Sequence, residues 1–285
     1  MIPFTIRKLY VDVVDEHGTV WIFYFVELEC LRMRKNLAGV EAYPRIGEPA
    51  IRRALLPPEW PEDPRPSGPL RFTMELREGP VCFSGAAVLP PWAPRGGFSP
   101  LPLRWQVVAP RLEVTLRPPD AARVFGTGYA DFVEIRGPPR ALGLRHLRWG
   151  RIHGRDGTGV FTSLVPFGGR PVRHAALWNG GARPIEWDDF GVGAPPGGAP
   201  FQTATYEEPA ARRVCCGQER TLREGHSVDA ARFPGHGERA FYRWMMGPAR
   251  EFRWIGSGEL RGDEGSIRGE AIHEFVEFAP AFIDP

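Results

Sequence analysis

Asp131 and Tyr129 stand two residues apart in GTGYADFVEIR, a stretch whose later residues read as a β-strand. Alternate side chains of a strand share a face, so these two point the same way, with Phe132 and Glu134 opposite. If that face lines a cavity, Asp131 loses water and its carboxyl is held neutral toward pH 7. A neutral carboxylic acid can protonate an alkene or a carbonyl, with Tyr129 holding it in place. The plainer alternative is a strand-edge Asp131 paired with one of the many arginines.

Three further sets have chemical potential. Trp149 and Arg151 share one face of RHLRWGRIH, with His146 and Arg148 on the other. They are a packed pair, or Trp149 offers its π face to a carbocation. On SIRGEAIHEFVEF, Ile272, Glu274, Val276 and Phe278 share a face, so Glu274 sits among apolar side chains. A carboxylate there needs a partner, Arg151 or Arg253, or else it forms the polar floor of a pocket. His273 lies opposite. Trp21, Phe23, Tyr24 and Phe25 line such a pocket or simply fill the core.

Several signatures are missing. GTGYAD lacks the third glycine and the following helix of a dinucleotide site, and no P-loop, GxSxG elbow or HExxH occurs. The four cysteines (Cys30, Cys82, Cys215, Cys216) show no zinc spacing. His226 and His236 read as loop histidines. No metal and no cofactor is implied.

The elements that must position these residues are strands. KLYVDVV, the turn DEHG and TVWIFYFVEL form a hairpin pattern rich in β-branched and aromatic residues. VCFSGAAVL, PLRWQVV and RLEVTLR follow as short strands. A meander then runs through LRHLRWGRIH, VFTSLVP and VRHAALWN, and REFRWIGSGEL with SIRGEAIHEFVEF closes the chain as a hairpin. PPEWPEDPRPSGP and GVGAPPGGAP are loops. Helical spacing is confined to Glu48–Leu56 and Glu238–Met246. Many short strands between Gly/Pro turns predict an all-β protein with short helices. At 285 residues it exceeds one small barrel. Two halves are therefore expected, 1–140 and 141–285.

Composition narrows the partners. A net charge of +2 makes no case for nucleic acid or an anionic membrane. With only Lys8 and Lys35 as lysines, 34 of the 36 basic residues are arginines. They are scattered among 34 acids, which points to codon usage rather than phosphate binding. The apolar run Val20–Val26 is too short to span a bilayer as a helix, and the N-terminus lacks signal-peptide features. The expectation is a reduced, soluble, cytoplasmic protein of open oligomeric state.

GTGYAD followed by RWGR, together with GEAIHEFVEF and the opening KLYVDVVDEHGTVWIFYF, resembles the carotenoid 1,2-hydratase and AttH-like group. Ala130 and Phe132 beside Asp131 depart from the hydratase pattern. The resemblance implies two lipocalin-like β-barrels, a plan shared with Diels–Alderase-type and tocopherol cyclase-like enzymes. It implies a cofactor-independent hydratase or cyclase acting on a hydrophobic polyene or isoprenoid-like molecule. In that reading Asp131 and Tyr129 are catalytic, and Trp149, Arg151, Glu274, His273, Trp21 and Tyr24 bind substrate. The rival readings are a lipocalin-like carrier of a hydrophobic ligand and a solidly packed structural barrel pair.

Overall fold

A computed structural model describes residues 4–31, 33–55, 69–119, 121–193, 212–226 and 236–278. The proline-rich segment at 57–68, most of the loop after Val192 and the side chain of His236 lie outside the described set. The chain divides into two compact units, Met1–Gly137 and Pro138–Pro285.

The first unit is one antiparallel sheet. Its strands are β1 (Phe4–Asp15), β2 (Val20–Cys30), β3 (Met33–Tyr43), β4 (Ala50–Arg53), β5 (Leu70–Leu76), β6 (Gly79–Ala87), β7 (Leu103–Arg117) and β8 (Val124–Arg136). They lie in the order β4-β3-β2-β1-β8-β7-β6-β5. Two four-strand meanders are thus joined by the pairing of the first strand with the last. The free edges meet where the Leu55 amide donates to the Glu75 carbonyl at 2.8 Å, which curls the sheet toward a barrel.

The opening hairpin follows from its turn. Asp15 Oδ1 accepts the amides of His17 and Thr19 at 2.9 Å, and Asp15 Oδ2 accepts Trp21 Nε1–H at 2.9 Å. Gly18 supplies the positive φ of 77° that the tight reversal requires. Beyond the turn, alternation sorts the side chains. Leu9, Val11 and Val13 of β1 enter an apolar core with Phe23, Phe25, Leu112, Ala130 and Phe132. Lys8, Tyr10 and Asp12 therefore take the other face. Val107, Val108 and Ala109 are all buried, and the β7–β8 register shifts on both sides of Ala109. Pro110, with no amide to give the ladder, accounts for the irregularity. What reads in sequence as two short strands is this single long one.

The second unit repeats the plan. It contains β9 (Leu144–His153), β10 (Gly157–Pro166), β11 (Val172–Asn179), β12 (Ile185–Trp187), β13 (Gly191–Gly193), β14 (Arg213–Cys216), β15 (Arg220–His226), β16 (Ala249–Gly262) and β17 (Gly265–Phe278). Their order is β12-β11-β10-β9-β17-β16-β14-β13, with β15 also on β16, so first and last strands again pair. The edge strands β12 and β13 are joined by only Asp188, Asp189 and Phe190, and so short a link holds the two edges close. Ile152, Phe161, Leu177, Trp187, Val214 and Leu260 belong to its core.

The described residues hold one α-helix, α1 (His236–Met246), over the Glu238–Met246 pattern. It ends at Gly247, whose φ of 69° and amide bond to the Arg243 carbonyl form a left-handed C-terminal cap. The helix expected over Glu48–Leu56 is corrected: Ala50–Arg53 is strand β4. There the open edge of β3 supplies ladder partners from Ala42↔Ala50 to Gly39↔Arg53, which override local helical spacing. None of the described helices is long and apolar enough to cross a membrane.

Candidate functional site

Asp131 lies on the face of the first sheet opposite its apolar core. The ladder sets Tyr10 beside it on β1 and Val107 beside it on β7. Val107 is also bridged to Trp92, and Tyr10 pairs with Tyr24, so one row runs Trp92–Val107–Asp131–Tyr10–Tyr24. Asp131 is 3% exposed and Tyr129 0%, so this face too is withdrawn from water. Asp131 Oδ2 accepts Trp105 Nε1–H and Tyr129 O–H, both at 3.0 Å. With two donors on Oδ2, a proton on the carboxyl sits on Oδ1.

Burial is the main reason the Asp131 carboxyl is pushed up from 3.8 to about 6. The Trp105 bond, the charge of Lys8 and the Tyr129 bond pull the other way, while the neighbouring Asp12 carboxylate adds to the rise. Asp12 is itself 0% exposed and sits across the ladder from Tyr129. Among the expected residues, Asp131, Tyr129 and Tyr24 therefore share a face. Trp21 does not: it packs against the apolar core and its indole is bound to Asp15.

Trp105 connects the carboxyl to open space. Together with Pro94, Phe98, Leu101, Leu103 and Arg104 it lines a cavity of about 410 Å³ in the first unit. The rings of Trp92 and Phe98 meet Trp105 edge-on, at centroid distances of 5.5 and 6.4 Å. Sequence reasoning missed Trp105, Tyr10 and Asp12. The alternation Lys8-Tyr10-Asp12 against Leu9-Val11-Val13 was visible, but the register bringing β1 and β7 to β8 was not.

The second unit holds the other expected residues in two groups. Trp149 is opposite Glu274 in the β9–β17 ladder, and Arg151 opposite Ile272, so these share a face. Glu274 Oε2 accepts Arg253 Nε–H at 2.9 Å, and Arg253 also donates to Glu251, which Arg223 reaches at 2.9 Å. The partner of Glu274 is thus Arg253. Arg151 is fully buried and donates to Glu270 at 3.5 Å. His273 takes the opposite face, beside the core, stacked on Trp254 at 5.2 Å. Its Nε2–H donates to the Gly217 carbonyl at 2.9 Å, and burial holds its pKa down at about 4. His146 is lowered to about 4 by burial and by Arg148 and Arg145.

Among the described residues, no group of three or more His, Cys, Asp or Glu is arranged to hold a metal ion.

Comparisons with known proteins bear on the architecture. No protein-family model and no curated protein matches the sequence. Solved structures do. CghA with Sch210972 superposes with a TM-score of 0.58 at 11% identity, over 97% of this chain and 89% of that one. Kievitone hydratase from Nectria haematococca gives 0.54 at 8% identity, over 95% and 88%. An AttH homologue from Nitrosomonas europaea gives 0.51 at 11%, over 96% and 92%. The chain has their double-barrel fold. At such identities the likeness is one of fold, and the all-β, two-half expectation is met at that level.

Proposed function

We propose that the protein is an enzyme that hydrates or cyclises a hydrophobic, unsaturated small molecule by acid assistance, with Asp131 as the proton donor. The observation that carries this reading is the Asp131 carboxyl: buried, raised to about 6, and tied through Trp105 to the wall of an open cavity. Perturbed carboxyls beside cavities are common signatures of acid–base sites. That one structural neighbour is a hydratase and another was solved with the compound Sch210972 adds weight.

The chemistry balances without a redox partner. Asp131 Oδ1–H adds its proton to one carbon of an alkene, leaving a cation at the other and a carboxylate held by Tyr129 and Trp105. Water then bonds to the cation and returns a proton to Asp131, completing hydration. In cyclisation a second alkene bonds to the cation, and the proton returns from an adjacent C–H. Tyr24, on the same face as Asp131, is the candidate for substrate binding among the expected residues; Trp149, Arg151, Glu274 and His273 belong to the second unit, and Trp21 to the apolar core of the first.

The test begins with mass spectrometry of a solvent extract of gently purified protein. A retained polyene or terpenoid is the expected result, and it becomes the substrate for turnover in ¹⁸O-water. Hydration adds one labelled oxygen, cyclisation none. Asp131→Asn is expected to lower turnover by about 10²–10⁴-fold, the range for a positioned general acid. Full turnover by that variant overturns the acid role.

A further inference from the structure

We propose that the mouth of the second barrel binds a small flat molecule bearing a carboxylate, with Arg148 holding the carboxylate and Phe252 and His146 bordering the apolar body. The site lies wholly in the second unit and does not rest on the Asp131 reading.

The ladder fixes the face. Ile152 on β9 and Ala271 on β17 belong to the second core. Alternation therefore turns Gly150, Arg148 and His146 of β9, with His273 and Phe275 of β17, to that same inner side. Arg148 stands opposite Ser163 on β10 and Phe275 on β17, and Phe275 stands opposite Phe252 on β16. Arg148 Nη1–H donates to the Val192 carbonyl at 3.3 Å, and Val192 belongs to the edge strand β13, four places along the sheet from β9. The guanidinium thus reaches across the curled sheet.

Exposure marks this end as a mouth. Ile152, Phe161 and Leu260 fill the barrel below and are buried, whereas His146, Arg148, Arg173 and Phe252 are each half-buried and reach water. His273 forms the floor, stacked on Trp254 at 5.2 Å and held by the Gly217 carbonyl. Only the levels of His146 and Arg148 lie above it, about 7 Å along the strand. That depth suits one or two rings and excludes a long polyene.

Charge and shape at Arg148 define the ligand. Its guanidinium lies 5.4 Å from the centroid of the Phe275 ring, which orients the fork, and a carboxylate is the group such a fork takes bidentately. Burial, then Arg148 and Arg145, holds His146 neutral to about pH 4, and Arg148 also lowers His273, so the centre of the mouth is positive. The acids on this face are Glu277, opposite Arg250, and Glu224, opposite Phe252. His146 itself faces Val165 on β10 and Glu277 on β17, with Phe275 5.6 Å away. A carboxylate laid on Arg148 screens that charge from the imidazole, so His146 takes a proton more readily when the site is filled.

The probe is naphthalene-2-carboxylate, titrated into the full chain at pH 7 by calorimetry, beside the uncharged naphthalene-2-carboxamide. One saturable site is expected, with the carboxylate bound more tightly than the amide. Arg148→Gln, with folding checked by circular dichroism, should weaken the carboxylate roughly five- to thirtyfold and leave the amide unchanged. Arg148→Lys, which keeps the charge without the fork, should lose less. Phe252→Ala should weaken both probes. In the unaltered chain the His146 imidazole resonance, assigned through His146→Gln, should move on saturation and titrate at higher pH.

No saturable binding, equal affinity for the two probes, or carboxylate binding unchanged in folded Arg148→Gln overturns the proposal. If Arg148→Gln does not fold, a His146 resonance that stays still on saturation of the unaltered chain overturns it instead. Binding lost in Asp131→Asn but kept in Arg148→Gln would put the probe in the first unit and refute the assignment. Turnover by Asp131→Asn bears on the acid role alone, so the two readings fail separately.

Discussion

Asp131 is held by Trp105 and Tyr129 in a place where its neutral form is favoured, and that has a thermodynamic consequence. The folded chain binds this proton more tightly than the unfolded chain does. Its contribution to stability therefore falls as pH rises from about 4 to about 6. Asp131→Asn removes the penalty: urea unfolding should show the variant more stable by up to about 3 kcal/mol at pH 7–8, with no advantage below pH 4. Tyr129→Phe takes away one donor to Oδ2, so the carboxyl should titrate higher still. A pH–rate profile or the ¹³C shift of the carboxyl would register that movement; an unchanged titration would mean Trp105 and Lys8 suffice. GTGYAD declared the acid and its tyrosine in sequence. It did not declare Trp105, because a donor from β7 reaches Asp131 only through a register shifted around Pro110.

At the scale of the element, close approach governs what the strands tolerate. A Cβ on Gly150 would stand 2.7 Å from the Phe161 ring and 2.8 Å from His273 Cβ. Gly150→Val should therefore lower stability by about 1–3 kcal/mol or more, read as a drop in Tm. The glycines of GTGY answer to the same constraint: at Gly128 a Cβ would lie 2.6 Å from the Asp12 carbonyl on β1. These glycines look in sequence like parts of a site, and they serve the close packing of the strands. The final strand shows the opposite case. Glu274 was legible as an acid on an apolar face, and Arg253, its ladder partner, takes it up. Glu274→Ala should cost about 3–5 kcal/mol at most, since Glu251 still contacts the buried guanidinium.

For the whole molecule, titration and topology set the observable behaviour. His273 is held neutral to about pH 4, so the unfolded chain binds its proton first and stability is lost as pH falls from about 6.5 to 4. This opposes the Asp131 trend over an overlapping range, and His146 adds to it from a half-buried position. His273→Gln should make acid unfolding shallower, as followed by denaturation midpoints at pH 4.5 and 7. The thiols offer a second whole-chain readout. All four cysteines are free, and burial raises Cys216 far above ordinary thiols, so it should react with a thiol reagent at pH 8 only after unfolding. Each unit pairs its first strand with its last, Leu9 with Phe132 and Gly150 with His273. Such non-local closure predicts refolding in milliseconds to seconds or slower.

Alternation along each strand, the turn at Asp15 and the spacing of Tyr129 and Asp131 are local properties. The sequence by itself therefore determined the strands, the all-β class and an acid beside a phenol. It did not determine β4, where an unpaired strand edge outweighed helical spacing, nor the pairing of Glu274 with Arg253 rather than Arg151. The cavity was also beyond it, because Trp105 becomes both wall and donor only when β7, β8 and the 92–103 segment come together. Those outcomes depend on register between residues distant in the chain, and register is settled by the burial of whole faces at once.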